Sequence, residues 1–272
     1  MNHPPERNAL GQPVGPALPH WVAARRPPRQ VLEGLSVRLE PLDRERHCAQ
    51  LFEAFAQDTT GAMWTYLPSG PFNAAADCAA WVESVAAGTD PHFLALVERA
   101  TGRALGVAAY LRIDPHNGTI EVGHIAFSPQ LCRTTMATEA MVLMMEQAFA
   151  LGYRRYEWKC NALNMASRQA ALRLGFTQEG LFRQDRIVKG RSRDTAWFSI
   201  LDCEWPALHI AFQTWLAPDN FDADGRQTVR LSELVRATRT GARSSAGAQS
   251  PGDLSNVMPG EGEPPGRSAH PR

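Results

Sequence analysis

Three stretches hold residue types that can do chemistry. The run Ser128-Pro129-Gln130-Leu131-Cys132-Arg133-Thr134-Thr135-Met136-Ala137-Thr138-Glu139-Ala140 reads as a strand end, a tight polar turn and a helix whose first residues are small. The unpaired N–H groups of a helix's first turn and the positive end of its dipole make an anion site suited to phosphate oxygens. An ordinary strand-to-helix connection would look the same. The second stretch, Thr119-Ile120-Glu121-Val122-Gly123-His124-Ile125-Ala126-Phe127, sets a carboxylate in an otherwise apolar strand. That is expensive unless Glu121 faces a cleft or a partner, and partial burial raises its pKa toward a range useful for proton transfer. Alternation puts Glu121 with Gly123 on one face and His124 with Val122 on the other. His124 has the better intrinsic pKa for a base, and equally suits a hydrogen-bonded place in the core. In the third, Asn164 caps a helix with an apolar stripe at Ala170, Ala171 and Leu174, and Ser167 lies in its first turn.

These groups need elements to hold them. From Val31 to about Phe221 the hydrophobic period switches between two and three to four, the mark of mixed α/β architecture. Val37-Arg38-Leu39 opens a strand, and Asp43 caps a helix with Cys48, Leu51, Phe52 and Phe55 on one face. A second helix carries Cys78, Trp81, Val82 and Val85 and stops at Gly88. Strands follow over His92 to Glu98, Ala104 to Ile113 and Thr119 to Phe127, the last two joined at Asn117-Gly118. A helix with Ala137, Ala140, Met141, Met144, Ala148 and Leu151 on one face ends at Gly152, and a strand of two unlike faces spans Arg154 to Cys160. After the Asn164 helix come strands over Glu179 to Val188 and Asp194 to Leu201, then a helix over Ala207 to Leu216.

The ends differ from this middle. Residues 1–33 are expected to be an extended Pro-rich segment, strapped down by Leu18 and Trp21; 34–221 form the domain, and 222–237 a C-terminal extension. Residues 238–272 hold six Gly, five Pro and five Ser and are expected to be a disordered tail, too poor in apolar surface to offset chain entropy. Lys plus Arg number 28 and so do Asp plus Glu, which disfavours nucleic acid and an anionic membrane surface as partners. There is no run of apolar residues long enough to span a bilayer, and the N-terminus has no apolar signal core. The five cysteines are scattered without a C-x-x-C pair, which argues against a disulfide framework and a zinc site and fits a reducing cytoplasm.

The order of elements, with Gln130-x-x-Arg133-x-Thr135 leading into Ala137-Thr138-Glu139-Ala140 and Asn164-x-x-Ser167 leading into Leu174-Gly175-Phe176, resembles the GNAT superfamily of acetyl-CoA-dependent N-acetyltransferases. Within it the chain looks most like the branch containing the ribosomal-protein N-terminal (alanine/serine) acetyltransferases. The resemblance covers about Gly34 to Trp205. It implies an α/β (α+β) fold with a mixed, mostly antiparallel sheet of about seven strands, flanked by helices and splayed between the fourth and fifth strands. Acetyl-CoA is the implied cosubstrate, with no metal, held by Phe127, Gln130, Arg133, Thr134, Thr135, Met136, Ala137, Thr138, Asn164 and Ser167. The family's pyrophosphate motif Q/R-x-x-G-x-G/A is altered, Arg133 and Thr135 standing where it has its glycines; the amides that cradle phosphate survive if the turn keeps its shape.

The implied reaction moves an acetyl group to a primary amine, on a protein N-terminus or a small molecule, by direct attack in a ternary complex; no cysteine is placed to suggest an acyl-enzyme. Glu121 is the first candidate for the base and His124 the second. Ala171 occupies the position of the family's acidic tyrosine, which leaves Ser167, or a water, to donate to the departing thiolate. Trp64, Tyr66 and Phe72 either wall the acceptor pocket or form a satellite core, and the charges at Arg183, Asp185, Arg186, Arg193 and Asp194 read as a solvated hairpin face. A monomer or homodimer is expected. An inactive acyl-CoA-binding module, or an interaction protein on the same fold, is the alternative.

Overall fold

The computed structural model describes residues 6–246. In chain order its elements are strands β1 (Glu6–Arg7), β2 (Pro13–Val14), β3 (Leu32–Glu33) and β4 (Val37–Pro41), helices α1 (Arg44–Phe55) and α2 (Ala75–Ala86), and strands β5 (His92–Glu98), β6 (Ala104–Asp114) and β7 (Thr119–Phe127). Then come α3 (Thr135–Ala150), β8 (Arg155–Asn161), α4 (Met165–Arg173), β9 (Thr177–Val188), β10 (Arg191–Leu201), α5 (Trp205–Leu216) and α6 (Leu231–Ala246). One sheet runs β3-β4-β5-β6-β7-β8-β10-β9, antiparallel throughout except for the parallel pair β7–β8. It has eight strands where about seven were expected, because Leu32–Glu33 pairs with Leu39 and Arg38 at the edge.

Both faces of the sheet are covered, each by the residues that alternation assigns to it. Leu94, Leu96, Ala108, Tyr110, Ile120, Tyr156 and Phe198 pack against α3, α5 and α6. Phe93, Ala95, Val97, Val107 and Ala109 pack against Cys48, Leu51 and Phe55 of α1 and Cys78 and Val82 of α2. Asp43 caps α1 as the sequence predicts, its side chain accepting from the Arg46 amide. Gly118 closes the β6–β7 hairpin at φ +65°, a conformation glycine adopts without steric cost. A Cβ there would also meet the Trp21 ring at 2.4 Å.

The ends are more structured than their composition suggests. Trp21 straps the N-terminal segment down, its Nε1 donating to the His116 carbonyl, while Leu18 is half-exposed and its carbonyl accepts from the Trp21 amide. Buried Ala24 donates to the Pro115 carbonyl. The boundary at residue 34 cuts through the β3–β4 hairpin, which is clamped by Glu139 of α3. Its buried carboxylate accepts from the Leu35 and Ser36 amides and the Ser36 hydroxyl, and so fills the space a side chain at position 34 would need. At the other end α6 buries Leu231 and Val235 in the main core, and Arg239 donates to the Gly175 and Phe176 carbonyls. The expected tail therefore starts inside a helix; its residues 247–272 lie outside the described residues.

Candidate active site

The parallel pairing of β7 and β8 stops at Val122–Trp158. Beyond it β8 stays bound to β10, through pairs as far as Asn161–Thr195, while β7 turns away. The cause is a bulge: Ala109 of β6 faces Gly123 and Val107 faces Ala126, so His124 and Ile125 together oppose one residue, and His124 has φ +50°. The two strands splay around a cleft of about 820 Å³ lined by both strand edges, by Asn164, Ser167 and Ala170 of α4, and by the loop before α2.

One end of the cleft meets the turn into α3. Arg133 takes φ +64°, so a non-glycine residue holds the left-handed position of the family's first glycine. Thr134 is the N-cap, its hydroxyl accepting from the Ala137 amide and donating to the Leu131 carbonyl. The Thr135 and Met136 amides have no partner among the described residues, which leaves two helix-terminal donors for an anion. Gln130, Arg133 and Thr135 are exposed there, and Phe127 lines the cleft. Ala137 and Thr138 face inward instead: both are buried, and the Thr138 hydroxyl accepts from Arg173.

Along α4 the capping expectation holds, for Asn164 Oδ1 accepts from the Ser167 amide at 3.0 Å. The Ser167 hydroxyl accepts from Trp158 Nε1 at 3.0 Å and also meets the Cys160 thiol. With the indole N–H on its oxygen, the serine hydroxyl is left as a donor, with Cys160 beside it as an acceptor. Two cysteines, the exposed Cys132 and the buried Cys160, line the cleft as well. Burial pushes the Cys160 thiol above the ordinary cysteine value, so at neutral pH it is a poor nucleophile.

The bulge overturns the opposite-face reading of β7: both Glu121 and His124 line the cleft. The buried Glu121 is held through Oε2, which takes Arg112 Nη1 at 2.6 Å and Lys159 Nζ at 3.0 Å. Burial raises its pKa, with Lys159 and Arg112 pulling it back. Lys159 sits 3.7 Å from the Trp197 ring centroid and 2.7 Å from Glu157. From Glu157 the network continues through Arg155 to Glu179 and the Ser199 hydroxyl. His124 is not a hydrogen-bonded core residue. It is half-buried, its ring 5.0 Å from that of Phe93, with no hydrogen bond among the described residues. Burial and then Arg112 lower its pKa, which keeps the imidazole neutral.

Of the three aromatic candidates in the loop, Trp64, Tyr66 and Phe72, only Tyr66 lines the cleft, its hydroxyl donating to the Leu163 carbonyl at 3.3 Å. Trp64 and Phe72 are corrected to the satellite core: Trp64 is 2% exposed and packs edge-on against Phe55 and Phe72. Lys189 ties the β9–β10 turn to this loop by donating to the Trp64 and Gly70 carbonyls. Arg186 and Arg193 of that hairpin both line the cleft; Arg193 is half-buried there, whereas Arg186 remains exposed, as a solvated hairpin face would have it. Arg112 and Lys159 escaped the sequence reading; the signal available was, for Arg112, a cation in a mostly apolar strand and, for Lys159, its place on the charged face of a two-faced strand.

A model of the GNAT acetyltransferase domain matches residues 36–177. The chain belongs to the GNAT acetyltransferase family. A GCN5-related N-acetyltransferase from Brucella melitensis is 46% identical with a TM-score of 0.79, over 80% of this chain and all of that one. An uncharacterized N-acetyltransferase, p20 of Bacillus licheniformis, is 29% identical over 111 residues, and the match spans 62% of that relative's length. A ribosomal L7/L12 α-N-protein acetyltransferase has 17% identity and a TM-score of 0.55 over 63% of this chain and 94% of its own, a likeness of fold alone. The expected ribosomal-protein branch is therefore not established.

Proposed function

We propose that the protein transfers the acetyl group of acetyl-CoA to a primary amine by direct attack in a ternary complex. The observation that carries this reading is the splayed cleft between β7 and β8, with unpaired helix-terminal amides at one end and a carboxylate and a neutral imidazole at the other. The phosphates would take the Thr135 and Met136 amides, and the pantetheine arm the freed edge of β7 beside Asn164. No cluster of His, Cys, Asp and Glu suited to a metal occurs among the described residues.

The amine nitrogen attacks the thioester carbonyl, the C–N bond forms, and collapse of the tetrahedral adduct breaks the C–S bond. The nitrogen's proton passes to Glu121, directly or through a water, while Arg112 and Lys159 hold the carboxylate ionised and aimed. Ser167 donates a hydrogen bond to the thiolate as it forms, and the thiolate takes its proton from water. A second reading gives the amine's proton to His124, favoured by its neutral, unbonded ring in the same cleft.

The test is thiol release from acetyl-CoA across an amine panel of peptides, amino acids and polyamines, with thermal stabilisation by acetyl-CoA measured alongside. At ~1 mM ligand and a Kd near ~10 μM, binding should add about 2.7 kcal/mol to the folded state. Stabilisation with no turnover on any amine would favour the inactive binding module, and no stabilisation the interaction protein.

A further inference from the structure

The cleft is lined by four cationic side chains, Arg112, Lys159, Arg186 and Arg193, and by one carboxylate, Glu121. Arg112 and Lys159 are both spent on Glu121. Arg193 is half-buried, forms no ion pair or hydrogen bond among the described residues, and has a buried Nε without a partner. A desolvated guanidinium left unpaired is costly, and such groups are normally matched by an anion. Burial holds its pKa below the usual arginine range. Arg186 is its direct cross-strand partner in the β9–β10 register. Like charges placed opposite each other repel. Asp185 lies 3.5 Å from Arg186 Nε and, like Glu121, acts on Arg193 only from beyond ion-pair range. An anion between the two arginines would answer both the unpaired donors and the repulsion.

Resting on the acetyltransferase reading, we propose that the acceptor is a free amino acid, whose carboxylate is received by Arg193 with Arg186 beside it. Its amine then extends toward Glu121 and His124, and an apolar side chain suits the wall of Met63, Leu67, Ile187 and Val188. A protein N-terminus offers a neutral amide at the carboxylate's place and leaves Arg193 unmatched.

The experiment compares leucine with leucinamide. The amine of the carboxamide is the more readily neutral of the two, so chemistry alone favours the amide and a preference for the acid reports recognition. Steady-state acetylation with acetyl-CoA should favour leucine in kcat/KM by about 10- to 100-fold, the size of one or two charge-assisted hydrogen bonds. Arg193→Gln should erase that ratio through the KM for leucine, and Arg193→Lys should restore part of it. Equal use of the two acceptors, a preference for leucinamide, or an Arg193→Gln effect on the KM for acetyl-CoA in place of leucine overturns the proposal. Calorimetric titration of both compounds into the CoA-loaded protein reads recognition without turnover. Leucine binding that depends on Arg193, with no acetyl transferred, supports this assignment while overturning the acetyltransferase reading; binding of neither compound overturns this assignment, whatever amines are acetylated.

Discussion

At the scale of single residues, the central question is which group on β7 takes the amine's proton. Glu121 is buried and doubly paired, while His124 is half-buried, neutral and unbonded. If Glu121 serves, Glu121→Gln lowers the turnover rate by roughly 10²–10⁴ and removes the acidic limb of the pH–rate profile. His124→Asn then changes the rate little. The opposite pattern, a full-rate Glu121→Gln and a slow, folded His124→Asn, moves the role to His124. Lys159→Met adds a check on the ion pair: without one of its two cations, Glu121 has its pKa raised further, so the acidic limb should shift to higher pH. An unmoved limb would mean that Lys159 does not tune this carboxylate.

At the scale of elements, the proposed seat of the phosphates is the N-terminus of α3, with Arg133 held in the left-handed region and Thr134 as cap. This makes a clean substitution available. Thr135 is the first residue of α3, where proline is tolerated, and Thr134 before it has φ −93° and ψ 163°, compatible with a following proline. Thr135→Pro should fold as well as the parent yet lose one donor to phosphate. Acetyl-CoA affinity should then fall by about tenfold or more, since a hydrogen bond to a charged group is worth roughly 1.5–3 kcal/mol. Unchanged affinity in a folded Thr135→Pro protein would place the nucleotide elsewhere. The cleft itself arises from a competition between elements: β10 keeps its hold on the end of β8 while the bulge at His124 carries β7 away.

At the scale of the whole molecule, stability should respond to pH in two stages. His47, His92 and His124 all have folded-state pKa values lowered first by burial. His47 shows the geometry of the neutral ring, with Nδ1 accepting from the Asp43 amide and Nε2 facing Glu40 at 3.2 Å. As pH falls below about 6.5 the unfolded chain binds protons that the folded one refuses, so stability declines. Glu157 and Glu179 are held below the ordinary carboxylate range. Glu179 is lowered chiefly by its Arg155 hydrogen bonds, and Glu157 by Lys159 and Arg155 against the opposing effect of burial. Their contribution is complete above the unfolded carboxylate pKa, about 4.3, and is lost as pH falls further. Melting temperature measured from pH 8 to 4 should therefore begin to drop near pH 6.5 and drop again below about 4.5, and His47→Gln should shrink the first step. A melting temperature that rises between pH 7 and 5.5 would mean these histidines fold charged.

The sequence by itself determined the order of elements from β4 to α5 and, through the turn before α3 and the Asn164 cap, the family; the same turn marks where the anion site is proposed. These are local properties: periodicity, caps and turn residues act within a few positions of one another, and a linear string displays them. It did not determine which charges meet. The two-residue alternation that separates Glu121 from His124 holds only while β7 stays regular, and one bulge resets it. Trp64 and Phe72 carry the same aromatic signal as Tyr66, and only their packing onto Phe55 and Trp81 sends them into the satellite core. Leu231 and Val235 sit in a polar stretch too short of apolar residues to announce a helix, and α6 exists because α5 and the α4–β9 turn give it a surface to cover. Arg193 looked like one more surface charge in a crowded hairpin. Its unmatched position in the cleft follows from strands far apart in sequence being brought side by side, and that is a property of tertiary structure alone.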